Sequence, residues 1–189
     1  MTSDQFSASE NHKNTETTLV IGGCRSGKSR YALDMANRIS GNRKLFIATS
    51  VPTDSEMEER VRLHQKDRGE DWITAEIPVD IPQKIKDASK SLDVILVDCL
   101  TLWVSNLLFN NFTHDEVITI TDKLENALKQ SLCPVILVSN EVGSGIVPEN
   151  RLARLFRDTA GFVNQKAAAA ADNVFLMAAG IPVKIKGKN

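Results

Sequence analysis

The sequence predicts one α/β domain, with a mostly parallel sheet, helices on both faces and an antiparallel pair at one edge. Three observations carry this. The runs TLVIGG, DVILVDC and PVILVSN are apolar without interruption, the pattern of strands buried on both faces. Stretches of helical period separate them. The 189 residues are 42% apolar and 25% charged, an ordinary globular composition in a chain long enough to bury a core without a disulfide or metal.

Residues 1–17 are polar and read as a disordered tail, leaving residues 18–189 as one nucleotide-binding catalytic domain. A strand from Thr18 runs into paired glycines. Residues 28–39 form a helix, with Tyr31, Met35 and Ile39 four apart. KLFIATS, residues 44–50, is a second buried strand, and residues 55–66 are a charged helix. Residues 67–78 read as a polar connection around Trp72. A helix over 81–90 precedes the strand 93–99. Helices over 100–112 and 115–131 follow, the second with Asp115 near its cap. The strand 134–140 leads to a long helix over 148–171, opened by Pro148 and weakest at Gly161. NVFLMAAG and IPVKIKG close the chain as two strands joined at Gly180.

Lys and Arg number 23 against 24 Asp and Glu, a net charge of −1. This disfavours proteins that coat nucleic acid or anionic lipid. Aromatic residues at 5% disfavour base-stacking platforms. Cys24, Cys99 and Cys133 form no CxxC pair and read as small buried thiols of a reduced, cytoplasmic protein. No apolar run of about 18 residues predicts a membrane-spanning helix, and the N-terminus lacks a secretory pattern. His12, in the tail, receives no role.

The strongest local signal is Gly22-Gly23-Cys24-Arg25-Ser26-Gly27-Lys28-Ser29, which fits G-x4-G-K-[ST] between a strand and a helix. Glycines let the backbone turn its N–H groups around an anion, and the helix N-terminus adds its dipole. Lys28 supplies a point charge for the β- and γ-phosphates, and the Ser29 hydroxyl can ligate Mg²⁺. Asp98, at the tip of a hydrophobic strand, is the candidate second magnesium anchor or an N-cap for the next helix. The guanine-reading N-K-x-D pattern is absent, so a small-molecule kinase is the default from the loop alone.

Two further segments stand out. His64 lies among Arg60, Arg62, Lys66 and Arg68. Neighbouring cations suit a phosphate site and keep an imidazole neutral, and a neutral imidazole can attack phosphorus. By itself this leaves a structural histidine open. The loop from Asn140 to Glu149 follows a core strand, where α/β sheets place ligands. The helix after it carries Arg151, Arg154, Arg157, Asp158, Asn164 and Gln165, which also suit a solvated face.

The segments GGCRSGKSRYA, FIATS, EMEERVRLHQKDR, VDCLTLWVSNLL and SNEVGSGIVPENRLARLFRDTAGFVNQKAAAAADNVFLM closely resemble one family. It is the bifunctional adenosylcobinamide kinase / adenosylcobinamide-phosphate guanylyltransferase family of cobalamin biosynthesis, and the resemblance spans residues 18–186. It implies a RecA-like P-loop fold in a homo-oligomer, a trimer in the family. It implies phosphorylation of adenosylcobinamide with ATP or GTP, then transfer of GMP from GTP to that phosphate through a guanylylated histidine. That histidine falls on His64. The family's nucleotide contacts fall on Gly22, Gly23, Cys24, Arg25, Ser26, Gly27, Lys28, Ser29, Ala48, Thr49, Ser50, Gln65, Lys66, Asp67, Arg68, Glu76 and Asp98. Cys24 stands where alanine is common and Asp98 where glutamate is frequent. The competing readings are a monofunctional P-loop kinase with a structural His64 and a non-catalytic nucleotide-binding assembly factor.

Overall fold

The computed structural model describes residues 15–50, 69 and 71–188. Of the tail read over residues 1–17, residues 1–14 lie outside the described residues, as do the charged helix over 55–66, His64 and Gln65 to Arg68, whereas Thr17 is buried as the first residue of the first strand. The strands are β1 (Thr17–Gly22), β2 (Lys44–Ala48), β3 (Trp72–Glu76), β4 (Val94–Asp98), β5 (Val135–Asn140), β6 (Asn173–Ala178) and β7 (Ile181–Lys186). The helices are α1 (Lys28–Asn37), α2 (Ile81–Ala88), α3 (Leu100–Phe109), α4 (His114–Lys129) and α5 (Arg151–Ala170). The strands form one sheet in the order β3-β2-β4-β5-β1-β6-β7. All pairs are parallel except β6–β7, the expected antiparallel edge.

The continuous apolar strands are explained by two cores. In β4, Ile95 and Val97 face one core, with Ile81, Leu100, Trp103, Leu124 and Val163. Val94 and Leu96 face the other, with Ala32, Ala36 and Met177. With period-2 side chains and helices on both faces, every position of β4 except its last must be apolar. β1, β4 and β5 all end at the C-terminal edge of the sheet.

Three expectations need correction. Residues 72–76 are not a connection but the edge strand β3, paired in parallel with β2 from Lys44↔Trp72 to Ala48↔Glu76. WITAE alternates in polarity because an edge strand is only partly covered. Trp72 packs edge-on against Phe46 and donates from Nε1 to Asn37 Oδ1 at 3.0 Å. Pro148 does not open the long helix. Asn150 caps α5, its side chain accepting from the Ala153 amide at 3.1 Å, a bond no proline can offer. As expected, Asp115 lies near the cap of α4, in its first turn; the cap itself is Thr113, in a reciprocal capping box with Glu116. Cys24 is exposed, whereas Cys99 and Cys133 are buried, and all three are free thiols. α5 runs unbroken through Gly161.

Candidate functional site

β1 delivers its last residue, Gly22, to the C-terminal edge of the sheet, and α1 begins six residues later at Lys28. The turn between them uses left-handed backbone at Arg25 (φ 53°) and at the N-cap Gly27 (φ 90°). Such a path leaves the first amides of α1 unpaired within the helix and facing outward. Lys28 is 7% exposed and its Nζ donates to Gly23 O at 2.7 Å. Burial pushes its ammonium below the usual lysine range, and the negative charge of Asp98 opposes that shift. A partly desolvated cation inside a ring of backbone amides is a receptor for an anion. Ser29, half-buried, lies in the first turn of α1.

Strand register ranks the candidate carboxylates. Along the C-terminal edge, Glu76 pairs with Ala48 and Ala48 with Asp98. Asp98 then pairs with Val138, and Asn140 with Gly22. At about 4.8 Å per strand, Asp98 stands two strands and ~10 Å from the loop, and Glu76 four strands and ~19 Å. Of the two, Asp98 is the carboxylate within reach of an ion shared with Ser29. A hydroxyl and a carboxylate are hard oxygen donors that suit Mg²⁺, which takes one or two protein oxygens and keeps phosphates and water for the rest.

Thr49 is fully buried, and its side chain faces protein rather than the nucleotide side. Its hydroxyl donates to Cys99 O at 2.9 Å and accepts from Cys99 N at 2.8 Å. Its amide donates to Asp98 O at 3.1 Å. The Asp98–Cys99 peptide, which is cis, is thus held from both sides. Thr49, expected as a nucleotide contact, thus has its hydroxyl and amide engaged by the Asp98–Cys99 peptide, a placement that fixes Asp98. Ala48 is buried, with its carbonyl taken by Ile77 N, and Ser50 is half-buried at the margin of the described residues. Thr49→Val keeps the shape but leaves the Cys99 N–H without its acceptor, while Cys99 O keeps the Trp103 amide as donor. It should cost about 1–3 kcal/mol of stability in urea unfolding and lower turnover through Asp98.

Side chains that the sequence did not single out as a group complete the edge. Ser139 Oγ donates to Asn164 Oδ1 at 2.6 Å, and Asn164 Nδ2 to Asn140 O at 3.0 Å. Asn140 Nδ2 donates to Thr101 Oγ1 at 2.9 Å, and that hydroxyl lies 3.1 Å from Cys99 Sγ. This chain of bonds ties α5 to the tips of β4 and β5. Its signal in the sequence was Asn164 itself, a polar residue on the buried stripe of Ala160, Val163 and Ala167. Arg154 is exposed, as a solvated face requires, and both it and the half-buried Arg157 also bond the loop before α5. Arg154 donates to the carbonyls of Pro148 and Glu149, and Arg157 to those of Gly145 and Ile146, so they hold the glycine loop onto α5. Among the described residues no group of three or more His, Cys, Asp or Glu could hold a metal by itself.

Residues 18–185 match the family model described as cobinamide kinase / cobinamide phosphate guanyltransferase. The bifunctional adenosylcobalamin biosynthesis protein CobU of Escherichia coli (strain K12) is 45% identical over 180 residues, which cover 89% of this chain and 98% of that protein. The protein of the same name from Salmonella typhimurium (strain LT2) is 43% identical over the same shares. CobP of Pseudomonas aeruginosa (strain PAO1), with the same description, is 36% identical over 90% of this chain and 97% of its own. Among solved structures, PH0250 of Pyrococcus horikoshii OT3 aligns with a TM-score of 0.57 at 12% identity, over 94% of this chain and 89% of its own. A KaiC-like protein from the same organism aligns at 0.51 and 13% identity, over 86% and 70%. These two likenesses concern the fold alone.

Proposed function

The chain belongs to the cobinamide kinase / cobinamide phosphate guanyltransferase family, and on that premise we propose how its residues divide the work. It is a bifunctional enzyme of adenosylcobalamin biosynthesis that phosphorylates cobinamide and transfers a guanylyl group to the resulting phosphate, with ATP and GTP as nucleotide substrates. Both reactions draw on one nucleotide site at the C-terminal edge of the sheet. The observation that carries this reading is the buried Lys28 within the left-handed loop, two strands from Asp98.

In the kinase step the loop amides and Lys28 hold the β- and γ-phosphates while the substrate hydroxyl attacks the γ-phosphorus in line; the bond to the β,γ-bridging oxygen breaks, the nucleoside diphosphate leaves and the hydroxyl proton passes to solvent. Asp98, oriented by Thr49, and Ser29 would hold Mg²⁺, which when bound supplies charge neutralisation on the phosphate oxygens. In the guanylyl step His64 attacks the α-phosphorus of GTP, a P–N bond forms, and pyrophosphate leaves towards Lys28 and the loop. The substrate phosphate then attacks the same phosphorus, and the P–N bond breaks to regenerate His64. Glu76, Gln65, Lys66, Asp67 and Arg68 are proposed nucleotide contacts beyond the phosphates. Cytoplasmic location and a homo-oligomer, a trimer as in the family, complete the reading. The exposed apolar side chains of Phe109, Ile146, Val147 and Leu152 support association.

The test is turnover. With Mg²⁺, ATP, GTP and adenosylcobinamide, chromatography should resolve first the phosphorylated corrinoid and then its GDP ester with release of pyrophosphate. A protein that stops at the phosphate under all nucleotide mixtures would contradict the guanylyl half of this division.

A further inference from the structure

We propose that the C-terminal β6–β7 hairpin, through the backbone N–H of Gly180, is a positioning element that aims the phosphate loop at its nucleotide. The turn residues Ala179 (φ 50°) and Gly180 (φ 84°) both have left-handed backbone, which folds the strands back over two residues. That sharp turn brings Gly180 against the loop, where its amide donates to Ser26 O at 3.0 Å. The carbonyl and N–H of a trans peptide point in opposite directions. Drawing Ser26 O towards the hairpin therefore turns the N–H of Gly27 the other way, away from the hairpin. The Gly22–Gly23 peptide is fixed likewise, because Gly22 O accepts from Glu141 N at 2.9 Å, which turns the Gly23 N–H away from Glu141.

The packing leaves the loop no slack against this support. A Cβ on Gly22 would lie 2.5 Å from Met177 O and 2.8 Å from Ser26 Oγ. One on Gly27 would lie 3.3 Å from Gly180 Cα. Glycine at position 22 is thus required by the close approach of β6, and the turn packs tightly against Gly27, whose left-handed backbone also favours glycine. Ser26 Oγ is buried at this contact with no hydrogen-bond partner among the described residues, so the Gly180 bond is the one polar tie seen at Ser26 towards the hairpin. Gly180 touches neither substrate nor reacting atoms and acts through the loop.

This inference rests on the loop binding nucleotide, so the experiment includes a control for that premise. GTP affinity with Mg²⁺ is measured by titration calorimetry on the wild type, Lys28→Ala, Gly180→Asn and a variant with two glycines inserted between Ala179 and Gly180. The insertion moves the donor away and should weaken GTP about tenfold or more, the effect of one well-aimed bond lost at a phosphate site. Gly180→Asn keeps the N–H and a residue tolerant of left-handed backbone, and should stay within about threefold. An insertion variant that is folded and binds GTP like the wild type, while Lys28→Ala does not, overturns the proposal alone. Undiminished binding by Lys28→Ala overturns the loop reading and this inference with it. Should the insertion prevent folding, hydrogen exchange on the wild type decides. Slower exchange of the Gly180 amide on adding GTP supports the tie, and unchanged exchange overturns it.

Discussion

His64→Ala, incubated with Mg²⁺ and GTP labelled at the α-phosphate, is expected to carry no covalent label while it still phosphorylates cobinamide. The parent protein should carry a label that is lost in acid and survives alkali, as a histidine phosphoramidate does. Removing a nucleophile typically costs several orders of magnitude, so guanylyl transfer should fall by at least ~10³. The kinase step needs no covalent intermediate, because a hydroxyl can take the γ-phosphoryl group directly. It should stay within about tenfold of the parent. The cations Arg60, Arg62, Lys66 and Arg68 flank His64 in sequence. Label that persists in the variant would assign the adduct to another residue. Loss of both activities with the fold intact would show that the histidine also serves the kinase step.

Lys28→Ala should lower both activities together, by at least ~10², because both reactions place a polyphosphate on the same loop. Its effect on stability should be opposite in kind. Burial holds the Lys28 ammonium below its usual range, so the nucleotide-free fold carries a partly desolvated cation that bound phosphate would relieve. Removing it should leave the melting temperature of the free protein nearly unchanged and abolish the rise produced by saturating GTP. A thermal shift series with and without GTP measures both quantities. A variant that keeps the full GTP-dependent rise would overturn the reading of this loop as the nucleotide's binding site. A variant with normal turnover would contradict the phosphate-loop reading altogether.

The sequence by itself determined the elements whose signals are local. TLVIGG, DVILVDC and PVILVSN read as doubly buried strands because no polar residue interrupts them, and the structure places them at the centre of the sheet. The loop from Gly22 to Ser29 was legible because its chemistry lies within eight consecutive residues. The family was legible because its segments extend along nearly the whole chain. WITAE was misread because an edge strand is half covered and its alternation over five residues is short. The hold of Thr49 on the Asp98–Cys99 peptide was not legible for a different reason. Its partner lies 50 residues away, and nothing in the local pattern distinguishes a hydroxyl that meets a nucleotide from one that holds a peptide. The tertiary structure alone decided strand order, and with it that Asp98 rather than Glu76 is near the loop. It alone brought Gly180 onto Ser26, across 154 residues of chain. Periodicity reports which face of an element is buried, but which neighbour buries it is settled only when the sheet assembles and close packing selects the partners.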